Sequence, residues 1–366
     1  MTIDRRSFVK AGVAASLAAG LARTARAEAG YAPRPGAWRT FRMRTLVEIA
    51  RPEGKVQAWV PLPAVNEVDW ARVIANEWTT GAKASRLRDP KYGAEMLHVE
   101  WADGDPNPAV EIISTVAVRD RYVDLGRPGA AAPLSEADRT LYTGATALVP
   151  TDGIVKQTSD SITASAKTDL EKARAIYEWI VDNTFRDPKT RGCGIGDIAA
   201  MLKSNNLGGK CADLNALYVG LARAAGLPAR DVYGIRVGAS KFGYKSLGAN
   251  SETVTKAQHC RAEVYLTGYG WLPVDPADVR KVVLEEPPAN LALLNPKVIS
   301  ARRGLFGSWE GNWIAYNFAH DIGLPGAKGP VVDFLMYPQA ETAAGRLDSL
   351  EPDAFKYVIT ASELNS

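Results

Sequence analysis

"GGKCADLNALYVGLARAAGLPAR", residues 208–230, reads as a turn, a cysteine and then a helix. Leu214, Leu217, Leu221 and Ala225 recur at helical spacing, and Gly226 and Pro228 stop the run. Cys211 therefore falls on the first turn. Unpaired N–H groups and the helix dipole at that end favour a thiolate, the nucleophilic form of cysteine. Gly208 and Gly209 permit a tight turn and close approach of a substrate. Position alone also suits an inert buried cysteine. A base placed beside the thiol would separate the two readings.

The chain offers three histidines. His98 lies in "EMLHVEW", opposite the apolar face of Leu97, Val99 and Trp101, and reads as a surface strand residue. His320 lies in the irregular "NFAHDIGLP", which suits a structural role. His259 opens "HCRAEVYL", where Cys260, Ala262, Val264 and Leu266 form the apolar face and His259, Arg261, Glu263 and Tyr265 the other. In the following "GWLPVD", Leu272 and Val274 face the core while Trp271, Pro273 and Asp275 face away. With "TGYG" (267–270) as a hairpin turn, His259 and Asp275 project from the same side. A carboxylate there can hold the imidazole, and the imidazole can take the thiol proton. A simple turn leaves Asp275 about three rungs short of His259, so a bulge or strong twist has to bring them together.

In this order, the cysteine-led helix, H-x-x-x-E ("HCRAE") and "GWLPVDP" resemble the transglutaminase-like superfamily over roughly residues 150–280. The resemblance implies an α+β, papain-like core in which a helix bearing the cysteine packs on an antiparallel sheet. It implies Cys211 as nucleophile, His259 as base and Asp275 as orienting acid. Many relatives carry an aromatic residue where this chain has Arg261, which puts any substrate contact there in doubt; Glu263 matches the usual acid. The Cys211 N–H is a natural oxyanion donor. Asn205 and Asn206 are candidates for a second donor, and Trp271 lies beside the site. The implied activity is thiol-dependent amide hydrolysis or acyl transfer on a peptide or protein of the cell envelope, through a thioester and without a cofactor. The alternative is a binding or scaffold protein that keeps the fold with a blocked triad.

The N-terminus reads as an export signal. Arg5 and Arg6 are followed by Phe8, then by the small apolar run "AGVAASLAAGLA" and the small-x-small "ARA" at 25–27. Residues 1–27 are expected to engage the twin-arginine machinery through Arg5 and Arg6, with cleavage after Ala27 and a periplasmic or extracellular destination. That segment carries five basic residues and one acid, so the remainder has a net charge of −1 against +3 for the whole chain. Interspersed charges beyond it argue against a nucleic-acid or anionic-membrane surface. No apolar run reaches the roughly 18 residues of a membrane span.

Residues 36–125 are rich in β-branched and aromatic residues ("WRTFRMRTLVEI", "KVQAWVPLP", "AEMLHVEWA", "AVEIISTVAVRDRYVDL") and read as a β-sandwich-like domain. A linker at 126–149 and a catalytic core at 150–285 follow, with 286–366 as an extension packed on the core and ending in a helix. "TDLEKARAIYEWIVDNT" (168–184) reads as a helix capped by Thr168 or Asp169. "RGCGIGD" (191–197) reads as a flexible loop with Asp197 as N-cap rather than a phosphate loop. Three cysteines make no disulfide framework, although a Cys193–Cys260 pair is possible. No C-x-x-C, H-E-x-x-H or EF-hand pattern indicates a metal. Trp313, Asn317, His320 and Asp321 are candidates to close the cleft from one side, and Trp179 and Trp271 to line it.

Overall fold

Phe41, Met43, Thr45 and Val47 are buried on one face of a strand, while Arg42 and Glu48 on the other stay exposed. This period-two pattern builds a sandwich from β1 (Arg39–Glu48), β2 (Val56–Leu62), β3 (Ala71–Thr79), β4 (Lys83–Arg88), β5 (Glu95–Trp101) and β6 (Ala109–Val118). The order β1-β6-β3 forms one antiparallel sheet and β2-β5-β4 another. Their inner residues, among them Met43, Val60, Leu97, Val99, Ile112 and Val116, share one apolar cluster. β3 and β4 escape sequence reading because their side chains are mostly exposed or half-buried. The coordinates are a computed structural model that describes residues 30–364. The expected export signal, with Arg5, Arg6 and Ala27, lies outside the described residues.

The stretch read as a linker contains α1 (Glu136–Thr143), N-capped by Ser135. It is also tied down, since the Gly129 N–H donates to the Gly268 carbonyl at 2.6 Å. Helices α2 (Gly153–Thr163), α3 (Asp169–Asn183), α4 (Ile198–Ser204), α5 (Cys211–Ala224), α6 (Pro276–Glu285) and α7 (Pro296–Gly304) surround a second sheet. Thr168 and Glu171 form a reciprocal capping box on α3. The second sheet comprises β7 (Ala229–Arg236), β8 (Gln258–Leu266), β9 (Gly270–Val274) and β10 (Trp313–Asn317), antiparallel in the order β9-β8-β7-β10. α5 lies against β8 and β7, with α2 and α3 also on it. All its residues are buried, including Asp213, Asn215 and Arg223. A helix covered on every side needs partners for those polar groups, and they determine the site.

The end of the chain departs from expectation. β11 (Gln339–Thr342) pairs with β2, and β12 (Tyr357–Leu364) pairs with β1 along its length. The terminal stretch is thus a strand of the sandwich, not a helix. Tyr357, Ile359 and Ala361 alternate inward with Val358 and Ser362 outward, and this alternation outweighs the helix propensity of Ala, Glu and Leu. Among the described residues no helix is long and apolar enough to cross a membrane.

Candidate active site

The start of α5 is fixed by one carboxylate. Asp213 accepts from the Lys210 N–H at 2.9 Å and from the Ile195 and Gly196 N–H groups at 3.0 Å each. It closes the helix N-terminus and anchors the 191–197 segment, which is pinned rather than the expected flexible loop. A Cβ at Gly194 would fall 1.8 Å from the Asp213 carboxylate, at a φ of +92°. A Cβ at Gly209 would meet the Asp213 side chain at 2.5 Å, and one at Gly208 the Phe185 ring at 2.3 Å. Packing against the Asp213 side chain by itself calls for glycine at 209.

His259 and Asp275 are brought together by a shorter turn than the sequence suggested. Leu266 pairs with Gly270, so the hairpin turns over 267–269 and Asp275 lies one rung nearer His259 than a four-residue turn allows. Asp275 then leaves the sheet as the N-cap of α6, accepting from the Asp278 N–H at 3.0 Å through Oδ1. Its Oδ2 lies 2.7 Å from His259 Nε2. The paired stretch of the hairpin carries no bulge; the shorter turn and the departure of Asp275 from the sheet leave the two side chains in contact. With Nε2 engaged, Nδ1 is the ring atom left for the thiol.

Further groups complete the pairing. Asn215, one turn along α5 from Cys211, donates to Asp275 Oδ1 at 3.1 Å and to the Cys260 carbonyl at 2.8 Å. Asp278 Oδ2 lies 3.4 Å from His259 Nε2, and its Oδ1 accepts from Arg236 at 2.5 Å. Trp313 donates its indole N–H to the His259 carbonyl at 2.9 Å. Burial and the Arg236 guanidinium oppose protonation of His259, but Asp278 and Asp275 outweigh them and push its pKa up to about 9. Hydrogen bonds from Cys193 and Cys260, aided by His259, hold the Cys211 thiol well below its ordinary value against the effect of burial. Both shifts favour an ion pair of thiolate and imidazolium.

Cys211 and His259 both line a cleft of about 680 Å³, with Cys193, Lys210, Gln258 and Tyr337. The Gln258 Nε2 is buried without a hydrogen-bond partner among the described residues. The other sequence candidates lie elsewhere. Asn205 caps α4 in a left-handed conformation, Asn206 accepts from the Gly208 N–H, and both are exposed outside the cleft. Trp271 packs edge-on against Tyr142 and Tyr265, under Arg230. Trp179 packs in the helical core. Trp313, Asn317, His320 and Asp321 do not line the cleft. His320 is buried 3.2 Å from Asp231, and the half-buried His98 stacks on Trp59.

Arg261 is buried behind the site, 3.7 Å from Asp275 and over the Trp309 and Trp313 rings, so it faces no substrate. Glu263 pairs with Arg121 and, at 2.5 Å, with Arg230. The three cysteines are free thiols, so Cys193 and Cys260 are not joined. Among the described residues two groups have metal-ligand proximity: Cys193, Cys211 and Cys260, and His259, Asp275 and Asp278. A cation in the second would compete with Arg236 and the imidazolium. Asn215 and Asp278 follow Cys211 and Asp275 at helical spacings of four and three, the one sequence signal that pointed to them. Gln258 and the cysteine cluster left none.

The model of the transglutaminase-like superfamily matches residues 156–276. An uncharacterized protein of Haemophilus influenzae is 36% identical over 326 residues, covering 85% of this chain and 87% of that one. A Cytophaga hutchinsonii crystal structure, provisionally described as a cysteine protease, shares the fold with a TM-score of 0.57 at 13% identity, over 90% of this chain and 92% of that one. The periplasmic domain of TgpA from Pseudomonas aeruginosa covers 70% of this chain and 90% of its own at 12% identity, with a TM-score of 0.35.

Proposed function

Because the chain belongs to the transglutaminase-like superfamily, we propose that it is a cysteine hydrolase or acyltransferase acting on amide bonds of peptides or proteins, with Cys211 as nucleophile, His259 as acid–base and Asp275 as the group that orients it. One observation carries this reading: the His259–Asp275 contact of 2.7 Å holds the imidazole in the cleft that Cys211 also lines, and hydrogen bonds from Cys193 and Cys260 lower the Cys211 thiol. The Cys211 thiolate attacks the amide carbonyl and forms a C–S bond. The oxyanion is met by the Cys211 N–H and by the unpartnered Gln258 Nε2, in place of Asn205 and Asn206. His259 gives its proton to the leaving amine as the C–N bond breaks, leaving a thioester. Water or a second amine then attacks, His259 takes its proton, and the thiolate departs. The export signal read at residues 1–27 supports action in the cell envelope.

The test is alkylation. Iodoacetamide should label Cys211 rapidly and selectively, and still do so at pH about 6, as expected of a catalytic thiol with a lowered pKa. The paired imidazolium persists until the pH passes its value of about 9, so amide turnover should fall through an alkaline limb in that region. Slow labelling that needs alkaline pH would favour the scaffold reading. Casein, followed for both peptide release and incorporation of a fluorescent primary amine, separates hydrolysis from transfer.

Gln258→Leu keeps the side chain's bulk and removes the donor. It should lower kcat about 100-fold with little change in KM, the effect of losing one oxyanion donor. Iodoacetamide forms no oxyanion, so its rate at Cys211 should match the parent's. Equal loss in both assays would mean that Gln258 only supports the fold.

A further inference from the structure

Cys193, Cys211 and Cys260 come from a loop, a helix start and a strand, yet their sulfurs lie within 4.8 Å of one another. The Met336 thioether lies behind them, 3.9 Å from the Cys260 sulfur. All four residues are buried. The amide chemistry proposed above uses only the Cys211 sulfur as a bond-forming atom, and it gives Met336 no task. We propose that these four sulfurs form a binding site for a soft monovalent metal ion, Cu(I), which occupies the Cys211 sulfur and blocks acyl transfer. The blocking rests on Cys211 being the nucleophile; the binding does not.

The donor set selects the ion. Thiolates bind both Cu(I) and zinc, but a thioether as the fourth donor suits Cu(I), whereas a structural zinc site completes its tetrahedron with a further thiolate or an imidazole. Among the described residues no imidazole or carboxylate joins the three cysteine sulfurs within 4.8 Å, and the His259 ring is held by Asp275 through Nε2. An ion with metal–sulfur bonds of about 2.3 Å holds three sulfurs about 4 Å apart, so only a small closure is required. Cys193 and Cys211 line the cleft and provide the way in, while Cys260 is wholly buried behind them. The copper keeps its oxidation state. Each further thiol that ligates releases one proton, so affinity rises with pH.

The test uses the reduced full chain under anaerobic conditions, titrated into Cu(I) held as its bicinchoninate complex. The expected result is withdrawal of one equivalent of copper and an X-ray absorption shell of three or four sulfurs. Cys193→Ser and Cys260→Ala should each weaken binding by about tenfold or more. Met336→Leu, which conserves volume, should weaken it less and leave copper-free labelling of Cys211 unchanged. Copper-loaded parent should resist iodoacetamide at all three thiols until a chelator strips the metal, a readout that needs no variant to fold. No withdrawal of copper, a shell containing nitrogen or oxygen with fewer than three sulfurs, equal uptake by the Cys193→Ser/Cys260→Ala double variant, or preference for Zn(II) would each overturn the site. Copper uptake with undiminished amide turnover would leave the site standing and overturn Cys211 as nucleophile.

Discussion

Cys211→Ala should remove every covalent adduct and lower amide turnover by about a millionfold, the scale of losing a covalent nucleophile. No other group can take its place. Cys193 and Cys260 are adjacent, but their pKa values run the other way: hydrogen bonding to Cys211 holds Cys193 as a thiol, and burial does the same for Cys260. Cys211→Ser should be as inactive, because a hydroxyl cannot ionise where a thiol does. The fold should survive, since one sulfur is lost from a helix whose start is fixed by Asp213 and not by Cys211. The measurement is mass spectrometry of parent and variant after incubation with envelope extract, with circular dichroism as the check on folding. A thioester adduct on the parent alone is expected. An adduct of equal yield on the variant would place the reaction on another residue.

How much of this site could be read in advance depended on whether its parts left a periodic trace. The helix after Cys211 and the two strands carrying His259 and Asp275 declared themselves because apolar residues recur at helical or alternate spacing. β3 and β4 did not, because they sit in the sandwich through main-chain pairing while most of their side chains meet solvent or lie half-buried. The last strand was misread because Ala, Glu and Leu favour a helix when its partner, residues 40–47 at the other end of the chain, is ignored. Register was out of reach for a related reason. Whether Gly270 belongs to the turn or the strand decides where Asp275 falls, and only the pairing of Leu266 with Gly270 answers it.

Long-range polar contacts were the least legible. Asp213 bonds to N–H groups 17 and 18 residues upstream, and Gly194 is required because that carboxylate lies against it and its φ is +92°. The sulfur cluster joins positions 193, 211, 260 and 336, and no local motif could announce it. Asn205 and Asn206 were attractive because they precede the cysteine in sequence. The structure spends them on a helix cap and a turn, while Gln258, more than forty residues later, is a lining residue of the cleft whose buried amide nitrogen has no partner among the described residues. Sequence proximity to a nucleophile is weak evidence when the site is assembled from separate segments.

Asp275→Asn carries the second large effect, and its size depends on a neighbour. Asparagine can still accept from the Asp278 N–H and cap α6, so the helix should be retained at little cost. What is lost is the charge 2.7 Å from His259 Nε2 and the acceptor that fixes the ring's orientation. Turnover should fall about 1,000- to 10,000-fold, the range for losing the acid of such a triad. The sign of the pH effect follows from the raised imidazole. With one of two carboxylates gone the imidazolium is less stabilised, so the alkaline limb should move down from about 9. It should stop short of the ordinary histidine value, because Asp278, held by Arg236, still faces Nε2 at 3.4 Å. Asp278→Asn should shift the limb as well but reduce turnover far less, since that carboxylate is the more distant and its other oxygen, Oδ1, is held by Arg236. The pH dependence of iodoacetamide labelling in the two single variants and the double variant measures these shifts without a known substrate. Labelling of Asp275→Asn that tracked the parent, with the whole effect appearing in Asp278→Asn, would make Asp278 the partner of His259 and reassign the triad.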